Sequence, residues 1–125
     1  MPSAEEITQT VNRYIGLMAG GRADQLAELY AEHATIEDPI GSGMRHGRES
    51  IREFYAVLEN VKRESELVLL RVVGNEAAYH LRLVMTLGDN RSEIKAIGVM
   101  TFGDDARIES MRAYWTPADI TAIPG

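Results

Sequence analysis

Asp38 is the residue of this chain best suited to chemistry. It lies two positions beyond Ile36 in the segment Ala34-Thr35-Ile36-Glu37-Asp38-Pro39, a short alternating stretch that Pro39 closes. Side chains two apart on a strand share a face, so if Ile36 points to the core, Asp38 does too. Burial without a partner raises a carboxylate pKa, and general bases are often tuned this way. The same Asp-Pro pair also suits a plain turn, with the aspartate accepting a local backbone hydrogen bond.

Tyrosines are the next candidates. Tyr14, Tyr30 and Tyr55 each fall on the apolar stripe of one of three expected helices. A buried tyrosine hydroxyl needs a partner. If the three hydroxyls met, each would polarise the next, and the last would be a strong donor to a developing oxyanion. Three independent core or interface tyrosines are the commoner outcome of such spacing. Trp115 ends the expected last strand. Its indole N–H can only donate, and Asp38 would suit it as acceptor; an ordinary core tryptophan is the plainer alternative.

Other chemistries find no support. His33, His46 and His80 have no metal-ligand spacing and the chain has no cysteine, so no metal, disulfide or thiolate site is expected. Gly41-Ser42-Gly43 is not a phosphate loop, and no G-x-S-x-G elbow occurs. No cofactor is expected.

The elements that must position these residues follow from periodicity. Ser3 and Glu6 form a capping box, and Ile7, Val11, Tyr14 and Met18 follow at helical spacing. Gly20-Gly21 suits a left-handed cap at that helix's end. A second helix is expected from Asp24 to about His33, with Leu26, Leu29 and Tyr30 on one face. The strand holding Asp38 and a loop over Gly41–Gly47 come next. A third helix buries Ile51, Phe54, Tyr55 and Leu58. Strands are expected at Glu66–Val73, Ala77–Leu87, Ser92–Phe102 and Arg107–Trp115, separated by Gly/Asn/Asp turns. Helices first and antiparallel strands afterwards indicate an α+β fold, three helices on the concave face of one curved sheet. That concave side is a natural pocket.

Composition agrees with one domain over residues 1–125. The apolar content of 45% and charged content of 26% are those of ordinary globular chains. A net charge of −6 argues against nucleic acid as a partner. No apolar run is long enough to span a membrane. The N-terminal residues do not read as a signal peptide, so a cytoplasmic location is expected.

The segments RYIGL (13–17), LYAEHATIEDPIG (29–41), HGRESIREFYA (46–56), GNEAA (74–78) and IESMRAYW (108–115) carry a resemblance. The chain resembles the bacterial Δ5-3-ketosteroid isomerases, of the nuclear-transport-factor-2-like superfamily, over about residues 7 to 116. Those enzymes are an established example of carboxyl pKa values set by their surroundings. The resemblance implies a steroid Δ-isomerase without cofactor. Asp38 would be the base that moves a proton from C4 to C6, and Tyr14 the oxyanion donor to the C3 oxygen. Tyr55 would donate to Tyr14, Tyr30 would extend the network, and Trp115 would support the base. The substrate-binding wall would comprise Met18, Phe54, Leu81, Leu83, Met85, Ala96, Met111 and Ala113, all apolar, suited to a small apolar 3-ketosteroid. A homodimer is implied as well.

One position departs from the family. Its second oxyanion donor, a protonated aspartic acid, aligns with Gly98, which has no side chain. Losing such a donor typically costs about 2.7–4 kcal/mol. Either water takes the place, or the protein binds steroid-like ligands with little or no turnover. A further reading is another enzyme on this fold, an epoxide hydrolase or polyketide cyclase. The hydrolase would want an Asp-Arg-Asp set, for which Arg82 and Arg112 are available.

Overall fold

Ser3 and Glu6 do open the first helix. The Ser3 hydroxyl accepts from the Glu6 N–H at 3.1 Å, and Glu6 Oε1 accepts from the Ser3 N–H at 2.9 Å. Such a cap is worth about 1 kcal/mol. In the computed structural model, which describes residues 1–124, α1 runs over Ala4–Met18 and buries Ile7, Val11, Tyr14, Ile15 and Met18. Its end is not a left-handed cap, since neither Gly20 nor Gly21 has positive φ. Gly21 serves close approach instead. Its N–H reaches the Leu17 carbonyl at 2.6 Å, and a Cβ there would lie 2.8 Å from that oxygen.

The second helix, α2 (Ala23–Glu28), is shorter than expected, and Tyr30 opens strand β1 (Tyr30–Glu37) instead of closing a helix. Pairing decides this. Tyr30 lies opposite Ile108, and the Ile108 N–H bonds the Leu29 carbonyl at 2.9 Å. Backbone groups captured by a neighbouring strand cannot also continue a helical ladder. The two-residue β2 (Arg45–His46) pairs with β1, and α3 (Arg48–Ala56) follows, burying Ile51 and Tyr55. Leu58 falls in the turn just past α3.

Three long strands make a meander: β3 (Lys62–Val73), β4 (Glu76–Leu87) and β5 (Asn90–Phe102). Their two-residue loops, Gly74-Asn75 and Gly88-Asp89, each start with a glycine at φ +59°. Tight hairpins demand such residues, and these loops set the register. β6 (Ile108–Tyr114) returns along β5. A 3₁₀ turn at Pro117–Asp119 then leads to β7 (Ile120–Ile123), which pairs with the first half of β5. Neither β2 nor β7 is visible from sequence, because each is too short for periodicity and exists through its pairing.

The sheet order is β2-β1-β6-β5-β4-β3, with β7 on β5. The β1/β6 pair is parallel and the others are antiparallel. The result is a mixed α+β, NTF2-like fold, three helices against a curved, mainly antiparallel sheet. Bulges in the β1/β6, β3/β4 and β5/β6 ladders add twist to that curve. Ala77, Tyr79, Leu81 and Leu83 of β4 share the inner face with Ile94, Ala96, Gly98, Met100 and Phe102 of β5. The outer face carries Arg82, paired with Glu93 at 2.6 Å, and exposed Arg112. No helix among the described residues is long and apolar enough to cross a membrane.

Candidate active site

Between the helices and the inner sheet face lies a cavity of about 340 Å³, within the range of small-molecule sites. Met18, Phe54, Leu81, Leu83, Met85, Ala96, Gly98 and Ala113 line it, where the resemblance implies a substrate wall. Met111 does not. It is fully buried in the core, between Met100 of β5 and Ile36 of β1. Pro39, Leu58, Ile94 and Ile120 complete the apolar wall, and sequence reading missed them. Ile120 arrives only through β7, where it pairs with Ile94.

Asp38 sits one residue past the end of β1 and lines this cavity. Its Oδ1 accepts a 2.7 Å hydrogen bond from Trp115 Nε1. The local turn is served by Glu37 instead, whose Oε2 accepts from the Gly41 N–H at 2.8 Å. The Ile40 N–H bonds the Ala113 carbonyl at 2.8 Å, which pins the segment after Asp38 to β6. Burial pushes the Asp38 pKa above the ordinary aspartate value, and the Trp115 N–H pulls the other way more weakly.

The tyrosines come together from separate elements: Tyr14 from α1, Tyr30 from β1, Tyr55 from α3 and Tyr79 from β4. Tyr30 and Tyr55 share a 2.6 Å hydrogen bond between hydroxyls. With Tyr30 donating, Tyr55 is free to donate onward. The Tyr14 ring meets Tyr55 edge-on at 6.5 Å between centroids and Tyr79 at 6.0 Å. Tyr14, Tyr55 and Tyr79 line the cavity, and Tyr30 stands behind Tyr55. Burial holds all four pKa values well above that of free tyrosine. At Tyr14 the nearby Tyr55 and Tyr79 hydroxyls partly oppose the rise. Held protonated by burial, the Tyr14 hydroxyl keeps its proton to donate into the cavity.

Tyr79 is the site residue that sequence reading missed. It is 4% exposed and pairs directly across from Gly98. A Cβ built on Gly98 would collide with Cζ and Oη of Tyr79 and lie 2.6 Å from its Cε2. The place of a side chain at 98 is therefore taken by a phenol, not left for water. The signal was present in the chain: counting back from the Gly88-Asp89 loop puts Tyr79 opposite Gly98, an aromatic over a glycine.

A smaller cleft of about 180 Å³ adjoins Asp38, bordered by Ser42 and Arg45, whose guanidinium lies 5.5 Å from the Phe54 ring centre. No group of three or more His, Cys, Asp or Glu side chains among the described residues is arranged to hold a metal ion.

Residues 11–111 match the family model of the SnoaL-like domain. The chain belongs to the SnoaL-like family. Among curated SnoaL-like relatives, a steroid Δ-isomerase of Nocardioides simplex is 41% identical, over 95% of this chain and 97% of its own length. The epoxide hydrolase LasB of Streptomyces lasalocidi is 28% identical over 98% of this chain, which spans about half (51%) of LasB. Among solved structures, the epoxide hydrolase/cyclase-like enzyme SalBIII superposes with a TM-score of 0.91 at 29% identity, covering 98% of this chain and 100% of SalBIII. RV0760c of Mycobacterium tuberculosis shares the fold, with a TM-score of 0.88 at 18% identity over 98% of this chain and 100% of its own. This SnoaL-like chain is thus a homologue of a steroid Δ-isomerase, with epoxide hydrolase/cyclase-like relatives on the same fold.

Proposed function

We propose that this protein is a steroid Δ-isomerase that moves the double bond of 3-oxo-Δ5 steroids to Δ4. The observation that carries the reading is one partly buried carboxylate and three tyrosines lining the same apolar cavity. Removing a carbon-bound proton beside a carbonyl needs a base for the proton and a donor for the oxygen. Asp38 takes the C4 proton and returns it to C6. Tyr14 donates to the C3 oxygen as the dienolate forms, with Tyr55 and Tyr30 behind it, and Trp115 holds the Asp38 carboxylate. The apolar walls hold the steroid by burial, at about 25 cal/mol per Å².

Epoxide hydrolysis is less well served. Asp38 is the one carboxylate among the described residues lining the main cavity, and no arginine lines it. Arg82 is engaged with Glu93 on the other sheet face. The direct test is the rise in conjugated-enone absorbance from 5-androstene-3,17-dione. A rate well above solution supports the isomerase. No such rate, with a phenolic steroid still bound, replaces it with a steroid-binding protein.

The acid side of the pH profile carries a further prediction. A base works only when ionised, and burial raises the Asp38 pKa. Activity is therefore lost at higher pH than for an exposed aspartate as the solution is acidified. The Trp115 N–H favours the ionised form, so Trp115→Phe moves the acidic limb of log kcat/KM to still higher pH. An unmoved limb in that variant separates Trp115 from the base.

A homodimer is part of the same proposal. Leu69, His80, Ile97 and Tyr114 stand in register across the outer sheet face. Leu69 is 50% exposed, Ile97 46% and Tyr114 42%. Three exposed large apolar side chains in one row, broken only by His80, mark an interaction surface, and a second copy is the occupant this reading assigns. Ile97→Glu then sediments as a monomer where the wild type sediments as a dimer.

A further inference from the structure

We propose that the Tyr79 hydroxyl is the second donor to the substrate oxygen, beside Tyr14, and that Gly98 is glycine to let it reach that place. This rests on the isomerase reading and adds a catalytic residue to it.

An enolate oxygen has lone pairs for two donors, and each donor aimed at it contributes separately to its stabilisation. Tyr14 and Tyr79 line one cavity, with ring centroids 6.0 Å apart. The far end of the Tyr79 side chain lies over Gly98, in space that any Cβ at 98 would occupy. A tyrosine placed only to fill the wall would leave its hydroxyl without use in a cavity otherwise nearly all apolar. Here the hydroxyl lies over Gly98 in the wall of the cavity that Tyr14 also lines. The small side chains of Ala96 and Ala113 flank Gly98 on the same face, Ala113 directly opposite it in β6. They leave room above the strand for both the ring and a flat ligand.

Tyr79→Phe keeps the ring and removes the donor. Turnover of 5-androstene-3,17-dione is expected to fall about 10²-fold with KM little changed. The ionised fraction of bound equilenin, a phenolic steroid read by its absorbance, is expected to fall as well. That fraction should fall again when Tyr79→Phe is added to Tyr14→Phe, because each hydroxyl touches the ligand oxygen. Gly98→Ala adds one methyl group against the ring, leaves both hydroxyls in the chain, and should reproduce the loss. Unchanged turnover and an unchanged phenolate fraction in Tyr79→Phe overturn the proposal and leave the ring as wall. An effect that vanishes in the Tyr14→Phe background also overturns it, since Tyr79 then acts only through Tyr14. A wild type without isomerase activity sinks the isomerase reading alone; the equilenin spectra still decide, by the same criteria, whether Tyr79 donates to a bound oxyanion.

Discussion

If the protein is the proposed isomerase, Asp38→Asn is expected to lower the rate of isomerisation by about 10⁴-fold, the upper end of what a positioned general base contributes. Asparagine matches aspartate in shape, and its carbonyl can still accept the 2.7 Å hydrogen bond that Trp115 donates. It cannot take a proton from carbon. Little change in steroid binding is expected, because the cavity wall is apolar and keeps its outline. Stability should move the opposite way from activity. The folded protein holds the Asp38 proton more tightly than the unfolded chain does, because burial disfavours the charge. Such a group contributes its full stability below the unfolded pKa and loses it as pH rises through the folded pKa. At neutral pH the ionised Asp38 is therefore a burden on the fold that Asn relieves. Thermal melts should place Asp38→Asn at or above wild type at pH 7, with the gap closing in acid. A variant as fast as wild type removes Asp38 from the chemistry.

Tyr14→Phe is expected to lower kcat by about 10³-fold, the larger end of the loss from removing one oxyanion donor. The ring stays, and with it the contacts to Tyr55 and Tyr79 at 6.5 and 6.0 Å. Ground-state binding should change little, so the loss belongs in kcat and not in KM. The expected effect exceeds that of Tyr79→Phe because Tyr14 packs against Tyr55, whose hydroxyl is bonded to that of Tyr30. A linked pair of hydroxyls polarises the group beside it. Tyr79 lies at the edge of the set. Initial rates over a range of substrate concentrations separate the two parameters. A fall confined to KM makes Tyr14 part of the wall and moves the oxyanion site elsewhere.

Much of the frame is legible in the chain, and the reasons are local. Ser3 and Glu6 are three apart and cap the first helix directly. The alternation in β4 and β5 assigns the inner face because one side of an antiparallel sheet is buried. Asp38 and Trp115 could be proposed as partners because an indole can only donate, although they are 77 residues apart. What could not be read depends on pairing between distant segments. Tyr30 has a helical neighbourhood, yet β6 claims its backbone. Met111 shares a face with Ala113, but the strands on either side draw it into the core while Ala113 meets the cavity. Tyr79 lies between the two cases. Its face was evident, and its role needed the register that the Gly88-Asp89 loop sets.

The fit of Tyr79 over Gly98 also constrains the order in which such a site can arise. A tyrosine introduced at 79 while 98 still carries a side chain meets a steric collision inside a packed wall. Glycine arriving first leaves only a hole, and a hole of a few atoms is a tolerable loss that a later aromatic can refill. Glycine at 98 is thus the step that makes room for the phenol. A side chain returning to 98 would in turn have to displace the phenol. Once both substitutions are in place, the pair behaves as a ratchet.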